Sequence, residues 1–411
     1  MAASVVSPKL SDPAAPKASA IAGYPRVVFL VTEDWYFVSH RLPMARAARE
    51  AGFEVHVATR VDRHATAIER EGFKLHALPW RRGSLDPRDL VPLLRAIRRL
   101  YRDLAPDIAH QVSVEASALG SLAALGLPVA QVNAITGLGT AFYGSDGRSR
   151  SMGRPVKAIL RTLLRRPQST VLVQNPDDRA VMLKLGVKPE RIALIPGSGV
   201  DTEAMQPLPE PEGAISIAFV GRLLGSKGIR VLLDAHERLN RRGRDIRLLI
   251  AGTPDPANRD SVSAEEVAGW ARRPNVLYLG HVSDIRTLWA TAHIGVLPSR
   301  VGEGLPLSMI EAAACGRALI ATDMPGCREI VRHDVNGLLV PRDDVAALAD
   351  AIDRLAGDAE LRRRFARASR ALAEQEFSSA RVSRDLVDLY RAILNDRDAL
   401  RGGGASFLRQ G

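Results

Sequence analysis

One pattern restricts the fold more than any other: short, unbroken apolar runs alternate with stretches of helical amphipathic spacing, and they do so twice along the chain. In the first half, strands are expected over 27–32, 55–59, 75–78, 108–112, 129–132, 171–173 and 192–196. Helices fit between them over 40–51, 63–71, 89–104, 115–125 and 154–164, with a short one capped by Asp177 and running to Leu185. The alternation restarts with strands over 215–220, 247–251, 276–279, 294–297, 318–321 and 338–340, and helices over 345–356, 359–374 and 379–394 close the chain. Continuous apolar strands separated by helices imply a parallel sheet covered on both faces, because each parallel crossover carries the chain back over the sheet. Ligands of such doubly wound sheets bind outside the carboxyl ends of the strands.

A chain of 411 residues exceeds what one core organises, so two domains are expected. Residues 202–213 are rich in Pro, Glu and Gly and read as the linker. The division is then a disordered lead (1–24), a first Rossmann-like domain (25–201), the linker, a second Rossmann-like domain (214–377), a helix (378–400) packing back on the first domain, and a disordered tail (401–411). The lead lacks an apolar h-region and does not read as a signal peptide. Residues 116–145 carry no charge, but Gly126, Pro128 and Asn133 interrupt them, so a helix, a strand and a Gly-rich loop are expected there and no membrane span. Cys315 and Cys327 are the only cysteines, which fits a reducing compartment and argues against a disulfide framework or a cysteine zinc site. The net charge of +11 lies wholly in residues 1–200, where 28 Lys+Arg face 17 Asp+Glu. An anionic surface or substrate met by one domain alone is the expectation.

The chemistry concentrates at residues 303–311, E-G-L-P-L-S-M-I-E, which follow the run 294–298 and a polar loop. Gly304, Leu305 and Pro306 are expected to open a helix ended by Gly316. Glycine permits close backbone approach, and the free N–H groups of a helix start attract a phosphate. Glu303 sits at that mouth, whereas Glu311 falls among Met309, Ile310 and 312–315, so a carboxylate is set into an apolar helix. Such a group needs a partner, and a sugar or ribose diol supplies two hydroxyl donors. The plainer alternative is a loop charge and a salt-bridged helix residue. A second Gly-rich turn, Gly221-Arg222-Leu-Leu-Gly225-Ser-Lys227-Gly228, follows the run 215–220. It is not a P-loop, but Arg222 and Lys227 are suited to bind a diphosphate, the first bidentately and the second as a compact charge.

With these residues in view, the chain resembles the family-four retaining glycosyltransferases, which have the GT-B fold. The resemblance rests on G-R-L-L-G-S-K-G at 221–228, L-P-S-R-V-G-E-G-L-P-L-S-M-I-E-A-A-A-C-G at 297–316 and A-T-D-M-P-G-C-R-E-I-V at 321–331. In the first half, S-H-R-L-P at 39–43, N-A-I-T-G-L-G at 133–139, Q-N-P-D-D at 174–178 and G-S-G-V-D at 197–201 are similar to the branch acting on polyprenyl-diphosphate-linked sugars. The resemblance implies a first domain on the acceptor side and a second domain binding a nucleotide sugar, UDP-linked. Arg222 and Lys227 would then neutralise the diphosphate, Glu303 would contact the moving sugar, and Glu311 would hold the ribose. Gly221, Gly304, Leu305 and Pro306 would complete the donor site. No cofactor is implied; the nucleotide sugar is the substrate, and a lipid-linked saccharide is the acceptor.

His110, in the run 108–112, is expected at the cleft as a further catalytic candidate, although Val112 stands where related enzymes have a second histidine. His40, Gly137 and Gly139 are placed on the acceptor side; Gly137 and Gly139 lack the rest of a dinucleotide fingerprint. The single Asp-x-Asp, Asp396 and Asp398, falls in the last helix, and no essential metal is expected. A sugar-nucleotide epimerase and a non-catalytic nucleotide-sugar-binding regulator are the alternatives. No recognition motif accompanies the positive charge, so nucleic acid is not an expected partner. A basic face of Arg154, Lys157, Arg161 and Arg165, flanked by Arg148 and Arg150, suggests peripheral attachment of a cytoplasmic enzyme to an anionic membrane.

Overall fold

The computed structural model describes residues 23–138, 158–270 and 272–405, with side chains to residue 396. It contains two parallel sheets. The first has seven strands: β1 (Arg26–Glu33), β2 (Glu54–Arg60), β3 (Lys74–Ala77), β4 (Ile108–Val112), β5 (Ala130–Ile135), β6 (Ser169–Val173) and β7 (Ile192–Leu194), in the order β3-β2-β1-β4-β5-β6-β7. The second has six: β8 (Ser216–Val220), β9 (Arg247–Ala251), β10 (Val276–Gly280), β11 (Ile294–Leu297), β12 (Ala318–Thr322) and β13 (Gly337–Val340), in the order β10-β9-β8-β11-β12-β13. Every expected apolar run among the described residues is a strand, because β4, β5, β6 and β12 are buried along their whole length, as a sheet covered on both faces requires.

The strand order reverses at β1/β4 in one sheet and at β8/β11 in the other. Crossovers leave these strand pairs toward opposite faces, opening a crevice beyond their carboxyl ends. The segments following β1, β8 and β11 therefore meet, and they carry Trp35 to His40, Gly221 to Lys227, and Glu303 to Glu311. Two connections join the domains. Residues 202–213 lie against the second, where Leu208 N–H donates to Cys315 O at 3.1 Å and Arg317 donates to Pro209 O at 2.9 Å. The chain then returns: Val200 pairs with Ser378, and the helix Ser379–Ala405 places Val382, Leu386, Tyr390 and Ile393 in the first domain's core.

Three local details differ from the sequence reading. The helix expected over 40–51 is two helices, Asp34–His40 and Leu42–Glu50, with Arg41 between them. Pro43 explains the break, since it can begin a helix but has no N–H to continue one. The helix after β6 is capped by Asn175, whose side chain accepts from Asp178 N–H at 2.8 Å, rather than by Asp177. Pro306 is the N-cap of the helix Leu307–Ala314, one residue before its first turn. Among the described residues no helix is long and apolar enough to cross a membrane.

Candidate active site

Between the sheets lies a cavity of about 330 Å³. From the second domain it is lined by Gly221, Arg222, Lys227, Glu303 to Ser308 and Glu311; Trp35, Tyr36 and His40 face them from the first. Both oxygens of Glu303 lie 2.7 Å from Lys227 Nζ, and Ser299 Oγ donates to Oε1 at 2.8 Å. This pair joins the ends of β8 and β11, neighbours at the switch point. Arg222 is held 2.8 Å from Asp255, which also takes Arg82 of the first domain at 3.0 Å. Burial works against ionising Asp255, but the bond from Arg222 and the charge of Arg82 outweigh it and hold the carboxyl below its ordinary value.

Glu311 behaves differently. Among the described residues its carboxyl has no hydrogen-bond or ion-pair partner, and burial alone raises its pKa to about 8. The helix carrying it starts at the cavity, and no side chain caps that start. Its first N–H groups and dipole favour an anion there.

The seam beneath the cavity is backbone packed on backbone. Asn175 Nδ2 donates to Glu303 O at 3.2 Å and to Gly304 O at 2.9 Å. A Cβ on Gly304 would come within 2.3 Å of Thr136 O, and one on Gly137 within 2.8 Å of Gly304 N. Gly137 also has φ +122°, a conformation that residues with side chains rarely adopt. Both glycines are thus required by contact between domains, and Gly137 supports the site from below. Gly139 lies outside the described residues, as do Arg148, Arg150, Arg154 and Lys157 of the expected basic face. Arg161 and Arg165 of that face are exposed, over buried Leu160, Leu163 and Leu164.

The expectation for His110 is corrected. It sits mid-β4, fully buried, stacked on Phe29 at 4.9 Å, with Nδ1 2.6 Å from Tyr390 Oη. Two further strand residues separate it from the carboxyl end, and its side chain faces the returning C-terminal helix instead of the cleft. His40 does reach the cavity. It ends its helix, stacks on Tyr36 at 4.2 Å, and has Nδ1 2.6 Å from Ser39 Oγ. With that hydroxyl assigned as donor to Trp35 O at 2.8 Å, the same assignment makes Nδ1 the donor to Oγ and Nε2 an acceptor. Burial, then the charges of Arg41, Lys227 and Arg222, bring the pKa of His40 down to about 3, so the ring is neutral. Sequence reasoning missed Trp35, Tyr36, Asp255 and Arg82. An aromatic pair directly after a switch-point strand was the available signal for the first two; nothing local marks the others.

Fold and site together define a protein of two parallel-sheet domains, with Arg222, Lys227 and two glutamates of one facing Trp35, Tyr36 and His40 of the other across a cleft. Residues 26–175 match the family described as glycosyl transferase 4-like, and residues 214–358 match glycosyl transferases group 1. The chain belongs to this family of glycosyltransferases. It is 27% identical over 388 residues to the putative glycosyltransferase EpsD of Bacillus subtilis, covering 90% of this chain and 97% of that one. It is 25% identical over 385 residues to the N,N'-diacetylbacillosaminyl-diphospho-undecaprenol alpha-1,3-N-acetylgalactosaminyltransferase of Campylobacter jejuni, covering 90% of this chain and all (100%) of that one. In fold it is similar to sucrose-phosphate synthase from Thermosynechococcus elongatus, with a TM-score of 0.77 at 20% identity over 90% of this chain and 100% of that one. Anabaena HepE, solved with UDP and glucose, gives a TM-score of 0.72 at 17% identity over 88% of this chain and 98% of that one. The GT-B architecture is therefore shown, and the enzyme is a glycosyltransferase.

Proposed function

We propose that the enzyme moves a hexose or N-acetylhexosamine from a UDP-sugar to a lipid-linked saccharide, with retention of anomeric configuration. The observation that carries this reading is the contrast between the two glutamates: Glu303 is paired with Lys227, while Glu311, half-buried in the cavity wall beside an uncapped helix start, has no partner among the described residues. A ribose diol donating to Glu311 would ionise and satisfy it. The diphosphate would draw Lys227 from Glu303 and Arg222 from Asp255, freeing Glu303 for hydroxyls of the sugar. Backbone at 304–306 would pack beneath sugar and phosphate.

As the bond from C1 to the phosphate oxygen breaks, negative charge grows on the leaving diphosphate, and preorganised cations and amides stabilise that charge. The acceptor hydroxyl attacks C1 from the same face and passes its proton to the departing phosphate oxygen, so no second carboxylate is needed, unlike in glycosidases. In this reading side chains supply the positive charge and no metal is required, so activity should survive EDTA. Neutral His40, beside Trp35 and Tyr36, lies on the acceptor side, where Nε2 would accept a hydrogen bond from an acceptor hydroxyl.

The lipid-linked acceptor and the basic first half favour peripheral attachment to the cytoplasmic face of a membrane. Mass spectrometry of products from a panel of UDP-sugars with polyprenyl-diphosphate sugars tests the transfer; sugar release or epimerisation without acceptor-dependent product would overturn it. Sedimentation with anionic and neutral vesicles at low and high salt tests the attachment, which should require lipid charge and weaken with salt.

A further inference from the structure

A second cavity, of about 320 Å³, lies on the far side of the donor domain between the interdomain linker and the helix Ala359–Glu376. Five arginines line it, Arg317, Arg362, Arg363, Arg367 and Arg370, against one carboxylate, Glu210. Two of these cations are engaged in the walls. Arg362 is bound to Glu210 and to Leu355 O, and Arg370 ties Glu374 to Thr202 O and Ala314 O.

The other three have no carboxylate partner among the described residues. Arg317 is only 2% exposed; it gives one bond, to Pro209 O, and its buried Nε has no acceptor. The charge of Glu210 acts on it, but that carboxylate is bound to Arg362, and a buried guanidinium that must share its counter-charge is costly. Arg363 and Arg367 are exposed one helical turn apart, a like-charge spacing that destabilises a helix unless something stands between the charges. Pro207, Leu208 and Ala366 supply an apolar floor between these heads.

We propose that this cavity is a binding site for a phosphate monoester, its dianion held by Arg317, Arg363 and Arg367 and its uncharged body resting on Pro207 and Leu208. Guanidinium groups match phosphate bidentately, and the sole carboxylate lining the cavity is already neutralised by Arg362. The inference is independent of the donor assigned to the cleft, because none of these residues lines it.

The full-length chain is titrated calorimetrically with glycerol 3-phosphate at constant ionic strength. The same chain is sedimented with vesicles containing phosphatidic acid, which carries the same head, and with vesicles in which phosphatidylglycerol, a diester, supplies the same surface charge, so that attachment to negative charge alone is subtracted. Arg363→Gln/Arg367→Gln, two exposed positions, should lower the affinity at least tenfold while melting as wild type, and Lys227→Ala in the cleft should leave it unchanged. Binding of the soluble ester alone identifies a small metabolite; phosphatidic-acid-dependent sedimentation lost in the double variant identifies a lipid head. No binding of either probe, equal binding by the double variant, or loss in Lys227→Ala overturns the site.

Discussion

The two domains share an architecture but keep their polar groups in different places. In the second, one contiguous apolar core takes in Val200 and runs from Ile217 to Phe377, and charged groups stand at the strand ends facing the cleft. In the first, the core is divided into three clusters. Polar side chains lie inside it: Ser121 Oγ is 3.1 Å from Gln111 Oε1 and 3.0 Å from Asn133 Oδ1, Asn133 donates to Ser169 at 2.9 Å, and His110 meets Tyr390. Buried polar networks cost stability when a member is lost and specify one arrangement when complete. The comparison teaches that a polar residue's place along its strand separates two roles: past the carboxyl end it faces the cleft, within the strand it holds the fold.

The sharpest way to break that contrast is Lys227→Ala. Turnover should fall on the order of 100-fold or more, as when a preorganised charge is removed from a transition state, while the free protein melts near wild type. Unchanged turnover would remove Lys227 from the diphosphate site.

Glu311→Ala should weaken UDP binding by about 1.5–3 kcal/mol, and by more than Glu303→Ala does. Equal losses in a direct titration with UDP would erase the division between ribose and sugar. The same carboxyl gives a signed pH effect. Its folded pKa of about 8 lies above the ordinary value of 4.5, so the folded state holds a proton the unfolded chain has released. Stability should therefore decline as pH rises between those values and level off above them, a slope that Glu311→Gln abolishes. UDP binding at pH 7 should release a proton, read from calorimetry in buffers of different ionisation enthalpy.

Tyr390→Phe tests the other domain. It strands His110 Nδ1 in the core, and denaturation should show a loss of about 1–3 kcal/mol with turnover per folded molecule retained. A fall in turnover at unchanged stability would return His110 to the chemistry. The smallest effect belongs to Arg82→Ala. Removing this partly exposed cross-cleft partner of Asp255 should change stability by under about 1 kcal/mol and leave turnover within a few-fold of wild type. A larger drop in turnover would show that the bridge sets the cleft geometry.

The second domain's site was legible because its residues sit in turns that break the apolar pattern: Arg222, Lys227 and Glu303 have no reason to follow buried strands except at a mouth. His110 misled because an apolar run shows that a strand is buried but not which positions lie beyond its hydrogen-bonded end. Trp35 and Tyr36 were overlooked because aromatics next to a core strand look like core, and only the strand order, with its reversal beside β1, sends them toward the cleft. The Arg82–Asp255–Arg222 bridge joins residues 173 positions apart in the chain (Arg82 to Asp255), and no local pattern announces such a pair. The helix boundary at Arg41 was recoverable from Pro43 alone.

The returning helix has a consequence for synthesis on the ribosome. The second domain is one uninterrupted segment, and its core is complete once Phe377 has emerged. The domain translated first must wait for Val382, Leu386 and Tyr390, from the final helix, before its largest cluster closes. The order of completion is thus the reverse of the order of translation, and a nascent chain whose last residues are still inside the ribosome would expose the apolar face of Phe53 and Met44 to chaperones while its partner domain was already folded.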